Sequence, residues 1–395
     1  MGIGTLTDIV SVTAAASMAP LVADRLRRWV AVPSVVLEIL LGVVLGPALL
    51  GWVVVDDVIG FIADFGLAML MFLAGYESEF RRIRGWPLRR AAIGWVGSVA
   101  LALGMTVWFS GFSLRTVVVG LALTTTALGT ILPVVRDAGA LAGVFGGAVL
   151  AIGTVGEFGP IVAVSVLLTG ERPMHTALLL VGFAALAALA AWRATRPRSA
   201  WLARMVTATL GTSVQFVVRF ALLIVVAMVW VAAELGLDVL VGAFAAGMVF
   251  RFFLDNGDER EARVVESKLD AIGFGLLVPF FFVVSGVRFS LGALASDGRA
   301  LLLVPVFLLL FLVIRGTPVL LLERELELWP ERCALATLAG TALPMVVVIT
   351  TIGVERGALA PSVAAALVGA GLLSVLILPA TAMRLRSQPV RTRPA

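Results

Sequence analysis

The stretch "TTTALGTILPVV", residues 124–135, sets three threonines, a glycine and a proline into a segment that is otherwise apolar. Threonine loses rotamer freedom in a helix, glycine loosens it, and proline removes a backbone N–H and collides with the preceding turn. A second stretch, "GTALPMVVVITT" at 340–351, repeats the pattern with Gly340, Thr341 and Pro344. Both segments are therefore predicted to break partway along. In hydrocarbon, freed backbone groups persist only where protein or a water-lined cavity satisfies them. Two breaks at corresponding positions mark half-helix ends, whose carbonyls and amide dipoles can face an ion. Glycine and proline are common in membrane helices anyway, so the recurrence carries the argument, not either break alone.

The surrounding composition sets the solvent. Of 395 residues 61% are hydrophobic and 14% charged, with a mean hydropathy of +1.08. A soluble core could not absorb that much apolar surface, because larger chains split into domains instead of growing one core. This is a polytopic all-α membrane protein. Apolar segments fall near 5–23, 31–55, 58–76, 91–112, 116–135, 143–169, 174–192, 212–233, 237–254, 270–287, 300–322, 333–353 and 359–383, giving about thirteen expected transmembrane helices. Of the 30 basic residues, 23 fall after odd-numbered segments, 5 after even-numbered ones, and Arg219 and Arg315 lie inside segments. Basic residues concentrate in cytoplasmic loops, so the N-terminus is expected outside and the C-terminus in the cytoplasm of a plasma-membrane protein. The same bias explains a pI of about 10.7 without a nucleic-acid partner. The start "MGIGTLTDIV" lacks a basic region and a small-residue cleavage site, so no cleaved leader is expected. The single cysteine, Cys333, excludes an intramolecular disulfide framework.

The two halves echo each other. "VVLEILLGVVLG" (35–46) resembles "LDVLVGAFAAGMVF" (237–250), "LMFLAGYESEF" (70–80) resembles "PFFFVVSGVRF" (279–289), and the two interrupted stretches share Thr-Ala-Leu near a proline. From Gly75 to Gly286 the offset is 211, and from Thr126 to Thr341 it is 215. Six-helix halves separated by one extra helix must lie in opposite orientations, the inverted-repeat plan of secondary transporters. Residues 1–395 are read as one transporter unit. A first repeat plus linker helix covers 5–192, a second repeat 212–386, and a short cytoplasmic tail 387–395.

"AIGTVGEFGPIV" (151–162) places Glu157 about halfway along an apolar segment. A carboxylate there costs several kcal/mol unless it is paired, protonated or ion-bound, so it marks an ion or proton pathway. The bland alternative is a structural anchor. Gly153, Gly156 and Gly159 give the segment a flat side for close packing around the acid. Arg315, in "FLVIRGTPVLL", is the basic residue well inside the second half and needs a carboxylate or broken-helix carbonyls as partner. Arg219 can snorkel, His175 is placed in an outer loop, and Glu38, Asp64, Glu77 and Glu79 are placed toward helix ends, with Glu77 able to line an inner funnel.

The set "VVLEILLGVVLGP", "FLAGYE", "TTTALGTILPVV", "VGEFGP", "VGAFAAGMVF", "PFFFVVSGV" and Arg315 resembles the monovalent cation:proton antiporter family, of the sodium/proton exchanger and potassium-efflux type, over essentially the whole chain. The resemblance implies the sodium/proton antiporter fold: two inverted-topology repeats with two crossed broken helices, in a homodimer whose dimerisation domain holds a mobile core. It implies that Glu157 binds proton and cation alternately, beside broken segments at Thr124 to Thr130 and Thr341 to Pro344. Thr125, Thr126 and Thr130 are the companion ion- or proton-binding residues, with Arg315, Thr341 and Glu77 in support. Family members usually carry an aspartate at the Glu157 position, often preceded by Asp, Asn or Gln, whereas Gly156 stands here.

Proton and cation then compete for the same oxygens, since burial favours the neutral acid and a positive neighbour the charged one. With one acid loaded, exchange is expected to be one proton for one cation and electroneutral. A hard monovalent cation suits carboxylate, hydroxyl and carbonyl oxygens. Na+ is favoured, with Li+ and K+ open, as transported substrates and without any cofactor. A channel would not need a competing carboxylate. An enzyme is not indicated, for the sequence has no G-x-S-x-G, no H-E-x-x-H and no histidine near the polar centre. A symporter of an organic solute on a similar fold is the closer rival. The end "RLRSQPVRTRPA" leads to no expected cytoplasmic nucleotide-binding domain.

Overall fold

The computed structural model describes residues 3–26, 33–77, 85–169, 173–194, 205, 208–209, 215–255, 259–296 and 298–386. Among these the secondary structure is helical, without strands. The helices are α1 (Ile3–Leu26), α2 (Ser34–Leu45), α3 (Asp57–Glu77), α4 (Trp86–Ser110), α5 (Leu114–Ala122), α6 (Leu128–Asp137), α7 (Gly143–Val164), α8 (Pro173–Ala194) and α9 (Phe216–Glu234). They continue with α10 (Val239–Leu254), α11 (Glu259–Ile272), α12 (Val278–Val287), α13 (Leu291–Ser296), α14 (Gly298–Leu322), α15 (Trp329–Ala339), α16 (Pro344–Glu355) and α17 (Pro361–Arg386). Outside the described residues lie Arg27, Arg28, Glu79, Arg81, Arg82, Arg84, Arg172, Arg196, Arg198, Arg204, Arg391, Arg393 and the expected tail 387–395.

Among the described residues, ten helical stretches are long and apolar enough to cross a membrane, and α2 and α10 are apolar but shorter. Each of the thirteen expected segments meets helix, yet they do not become thirteen continuous spans. Segment 116–135 divides into α5 and α6, and 333–353 into α15 and α16, at the two foreseen breaks. Among its described residues, segment 31–55 is helical only over α2. Pro47 disfavours helical geometry at Gly46, and Gly51 takes φ of 64°, so the chain turns there.

The chain forms two compact units, each drawing on both halves of the sequence. The first comprises Met1–Ala19, Glu38–Ser78 and Ser165–Arg288. Its packing explains the glycines of the quoted motifs. A side chain on Gly75 of α3 would strike the Phe244 carbonyl of α10, and one on Gly247 of α10 the Phe72 carbonyl of α3. Gly42 of α2 and Gly286 of α12 stand in the same mutual relation, against Val283 and Ile39. These helices touch backbone to backbone, which small residues permit. Glu38 departs from expectation in burial alone: four residues after the start of α2 it lies toward a helix end, yet it is only 4% exposed. Asp64 lies in the middle of α3, exposed and 4.0 Å from Arg288. His175 is exposed in the first turn of α8 instead of a loop.

Asp56 caps α3. The Ile59 N–H donates to its Oδ1 at 2.9 Å and the Thr5 hydroxyl to its Oδ2 at 2.6 Å. The Ile59 bond, then the Thr5 bond, hold its carboxyl below the ordinary value of 3.8. Stability from this cap is fully present above the unfolded value and lost as pH falls through the lower folded one. Thermal melts of Asp56→Asn are expected to show less acid-side loss of stability than the wild type; identical acid limbs would contradict the assignment.

The second unit comprises Pro20–Leu37, Glu79–Val164 and Phe289–Ala395. Its apolar core joins α6, α7, α14 and α15 through Leu128, Ile131, Val149, Ile152, Val319 and Leu335. Every residue of the polar centre described next belongs to this unit; Glu77, the last residue of α3, belongs to the first.

Candidate functional site

The two interrupted helices meet at their breaks. Leu123 to Ala127 link α5 to α6, Gly340 to Leu343 link α15 to α16, and the Ala127 N–H donates to the Thr341 carbonyl at 2.8 Å. The crossing brings two helix C-termini and two N-termini together, with opposite partial charges alternating around one point.

Each threonine of the opening triplet has a place here. The Thr124 hydroxyl donates to the Leu121 carbonyl at 2.8 Å and the Thr125 hydroxyl to that of Ala122 at 3.0 Å, closing the open end of α5. Thr126 turns outward: its N–H donates to the Gly156 carbonyl of α7 at 2.9 Å, and its hydroxyl to the Ala339 carbonyl at the end of α15 at 2.7 Å. One residue thus ties three helices. Thr130, half-buried on α6, donates its hydroxyl to the Ala127 carbonyl at 2.9 Å. The hydroxyl protons of Thr125, Thr126 and Thr130 are committed to carbonyls, leaving oxygen lone pairs as the groups open to a cation. Thr341 is fully buried, and its hydroxyl has no hydrogen-bond partner among the described residues. The break at 340–343 is closed by Ser374 of α17, whose hydroxyl accepts the Ala342 N–H at 3.0 Å.

Arg315, 2% exposed on α14, lies across the crossing. Its Nε donates to Thr126 Oγ1 at 2.9 Å, Nη1 to Ser98 Oγ at 3.2 Å and Nη2 to the Ile152 carbonyl at 3.4 Å. These bonds use neither kind of partner expected: the carbonyl is that of Ile152 inside the continuous α7, and the other two acceptors are hydroxyls. Through Thr126 the positive charge reaches the carbonyl end of α15, where the helix dipole favours it.

Glu157, 4% exposed, is carried by α7 immediately after the residue against which Arg315 lies. A Cβ on Gly156 would stand 2.6 Å from Thr126 Cβ and Oγ1 and 2.7 Å from Arg315 Nη2. On Gly153 it would strike Leu128 at 2.5 Å, and on Gly159 the Trp95 indole at 2.5 Å. The flat side foreseen for this helix is therefore occupied by Leu128, Thr126, Arg315 and Trp95, with backbone contact at Gly156. Gly156→Ala is expected to cost about 1–3 kcal/mol by overpacking, read as a lowered melting temperature in detergent. An unchanged melt would show that the crossing is looser than these distances.

Sequence reasoning did not single out Ser98, Trp95 or Ser374. The available signal was a lone polar or aromatic residue inside an apolar helix, which also fits an ordinary back-bonded hydroxyl or a packed ring.

The family described as sodium/hydrogen exchanger, transmembrane, matches residues 13–385. YjbQ of Bacillus subtilis (strain 168) is 24% identical over 95% of this chain, which spans 62% of that protein's length. The Na(+)/H(+)-K(+) antiporter GerN of Bacillus cereus is 24% identical over 67% of each chain. Among solved structures, the sodium proton antiporter MjNhaP1 from Methanocaldococcus jannaschii matches with a TM-score of 0.69 and 17% identity, covering 97% of this chain and 98% of that one. The likeness shows that the two share a fold.

Proposed function

The chain belongs to the sodium/hydrogen exchanger family, and from that premise we propose that it exchanges a monovalent cation for protons across the membrane, with Glu157 binding one or the other in turn. The observation that carries this reading is the position of Glu157: buried on α7, next to the glycine where Thr126 and Arg315 of the helix crossing close in. A bare carboxylate there would be penalised by the apolar barrier. A protonated or cation-bound one is not, so only the loaded unit crosses. The lone pairs of Thr125, Thr126 and Thr130, the unpartnered Thr341 hydroxyl and the carbonyls of the breaks supply further oxygens of the kind a hard cation takes. Arg315 ties Thr126 of the crossing to α4 and α7 through Ser98 and the Ile152 carbonyl, and its charge balances that of the acid.

Na+ is the favoured cation, with Li+ open, and the likeness to the Na(+)/H(+)-K(+) antiporter GerN keeps K+ open as well. The position before the acid gives no room for a second carboxylate, so one proton moves for one cation and the cycle is electroneutral. The unit works as a homodimer in the plasma membrane, with the N-terminus outside and the arginine-rich loops in the cytoplasm.

The test is fluorescence-monitored internal pH in proteoliposomes given Na+, Li+, K+ or choline, with and without a clamped membrane potential. Proton movement driven by a small cation but not by choline, at a rate indifferent to the potential, is the expected result. Silence with every cation would overturn the exchange, and a steep dependence on potential would overturn the stoichiometry.

A further inference from the structure

The motif "VGEFGP" ends in a proline that the exchange cycle as described leaves without a role. Pro160 is buried inside α7, which continues through it to Val164. A proline there has no N–H for the carbonyl four residues earlier, that of Gly156, and its ring crowds that carbonyl away from the helix ladder. A carbonyl freed in an apolar interior needs another donor. The Thr126 N–H supplies it at 2.9 Å, from the link between α5 and α6 where that amide has itself left a helix. Two interruptions in separate helices thus satisfy each other. Pro20, Pro305, Pro318 and Pro379 also stand inside helices. Among the described residues, no backbone N–H from another helix meets the carbonyl four places before any of them.

The Gly156 carbonyl and the Glu157 nitrogen belong to one planar peptide unit. Thr126 therefore holds the unit from which the acid-bearing residue begins. Its hydroxyl also donates to the Ala339 carbonyl at 2.7 Å and accepts from Arg315 Nε at 2.9 Å, while the next amide, of Ala127, donates to Thr341 at 2.8 Å. The turn of Glu157, both breaks and Arg315 share one anchor.

We propose that Pro160 is a positioning residue: by freeing the Gly156 carbonyl for Thr126, it ties the turn that carries Glu157 to the helix crossing and keeps the acid in register with the oxygens of the breaks. The inference rests on the exchange reading and adds to it what fixes the acid in place. An alanine at 160 brings back the missing N–H, so the Gly156 carbonyl returns to the ladder and draws away from Thr126. Alanine is also the better helix former, so α7 itself gains. A proline with no role beyond the helix would be improved upon by this change, whereas a positioning one loses function while the fold holds.

The experiment compares the full chain as wild type, Pro160→Ala and Pro305→Ala. Na+-driven proton flux in proteoliposomes gives KM and maximal rate, amide hydrogen exchange is followed by mass spectrometry over residues 123–127, and thermal melts are recorded in detergent. Pro160→Ala is expected to raise the KM for Na+ about 10–100-fold, the usual effect of losing a partner that orients a metal ligand. Exchange over 123–127 is expected to speed up about five- to tenfold, the effect of one lost hydrogen bond, with a melting temperature at or above that of the wild type. Pro305→Ala, at an exposed proline whose freed carbonyl meets no such donor, is expected to match the wild type in KM and exchange. An unchanged KM, an unchanged exchange rate over 123–127 or a collapsed melt in Pro160→Ala would each overturn the positioning role while leaving the cation–proton exchange intact. A wild type without cation-driven flux overturns that exchange itself, and the positioning role with it.

Discussion

Glu157→Gln is expected to abolish cation-driven proton movement, a loss of at least about a hundredfold, while leaving the protein folded. The two side chains have nearly the same shape, so α7 and the four side chains packed on its flat side need not move. Exchanging a carboxylate that is 4% exposed for a neutral amide also removes a charge from an apolar setting, so the melting temperature should hold or rise. The amide neither takes up a proton near neutral pH nor offers a cation its charge, and the competition that couples the two fluxes disappears. Transport in proteoliposomes and thermal melts in detergent are read together. Wild-type flux in the variant would remove Glu157 from the site; a collapsed melt would make it the structural anchor.

Arg315→Leu carries the opposite expectation, a loss of both transport and stability. The guanidinium supplies three buried bonds, to Thr126, Ser98 and the Ile152 carbonyl. A leucine leaves those oxygens without that donor, and each buried group left unsatisfied costs about 1–3 kcal/mol. Relief from burying a charge offsets part of this total. Arg315→Lys separates charge from geometry, because a compact ammonium cannot fork to three acceptors on two helices and a crossing. The lysine variant is expected to melt between the other two and to retain part of the flux. If Arg315→Leu melts like the wild type, the crossing is held by Thr126 and Ser374 alone.

The crossing was legible because its ingredients are poor helix formers placed in hydrocarbon, where a break must have a purpose. Glu157 and Arg315 were legible because a charge at that depth stands out against an apolar background. What the threonines do was not. A hydroxyl that closes its own helix end, like that of Thr125, looks the same in sequence as one that reaches a distant helix, like that of Thr126. Ser98 and Ser374 were missed for that reason, since their partners lie far along the chain. Glu38 does lie toward a helix end, but its burial was not legible, because the pattern of one segment does not show what packs over it. The second acid position, empty at Gly156, was seen as a departure from the resembling family; the distances to Thr126 and Arg315 supply its physical reason.

The bond from Thr126 to the Ala339 carbonyl spans 213 residues. At about 5–20 residues per second of synthesis, the chain has its first broken helix roughly 10–40 s before the partner that satisfies it leaves the ribosome. During that interval the Thr126 hydroxyl and the freed Ala127 amide must be served by water or by the insertion machinery. The membrane therefore receives an unfinished crossing whose completion waits on the synthesis of α15 and the link that follows it.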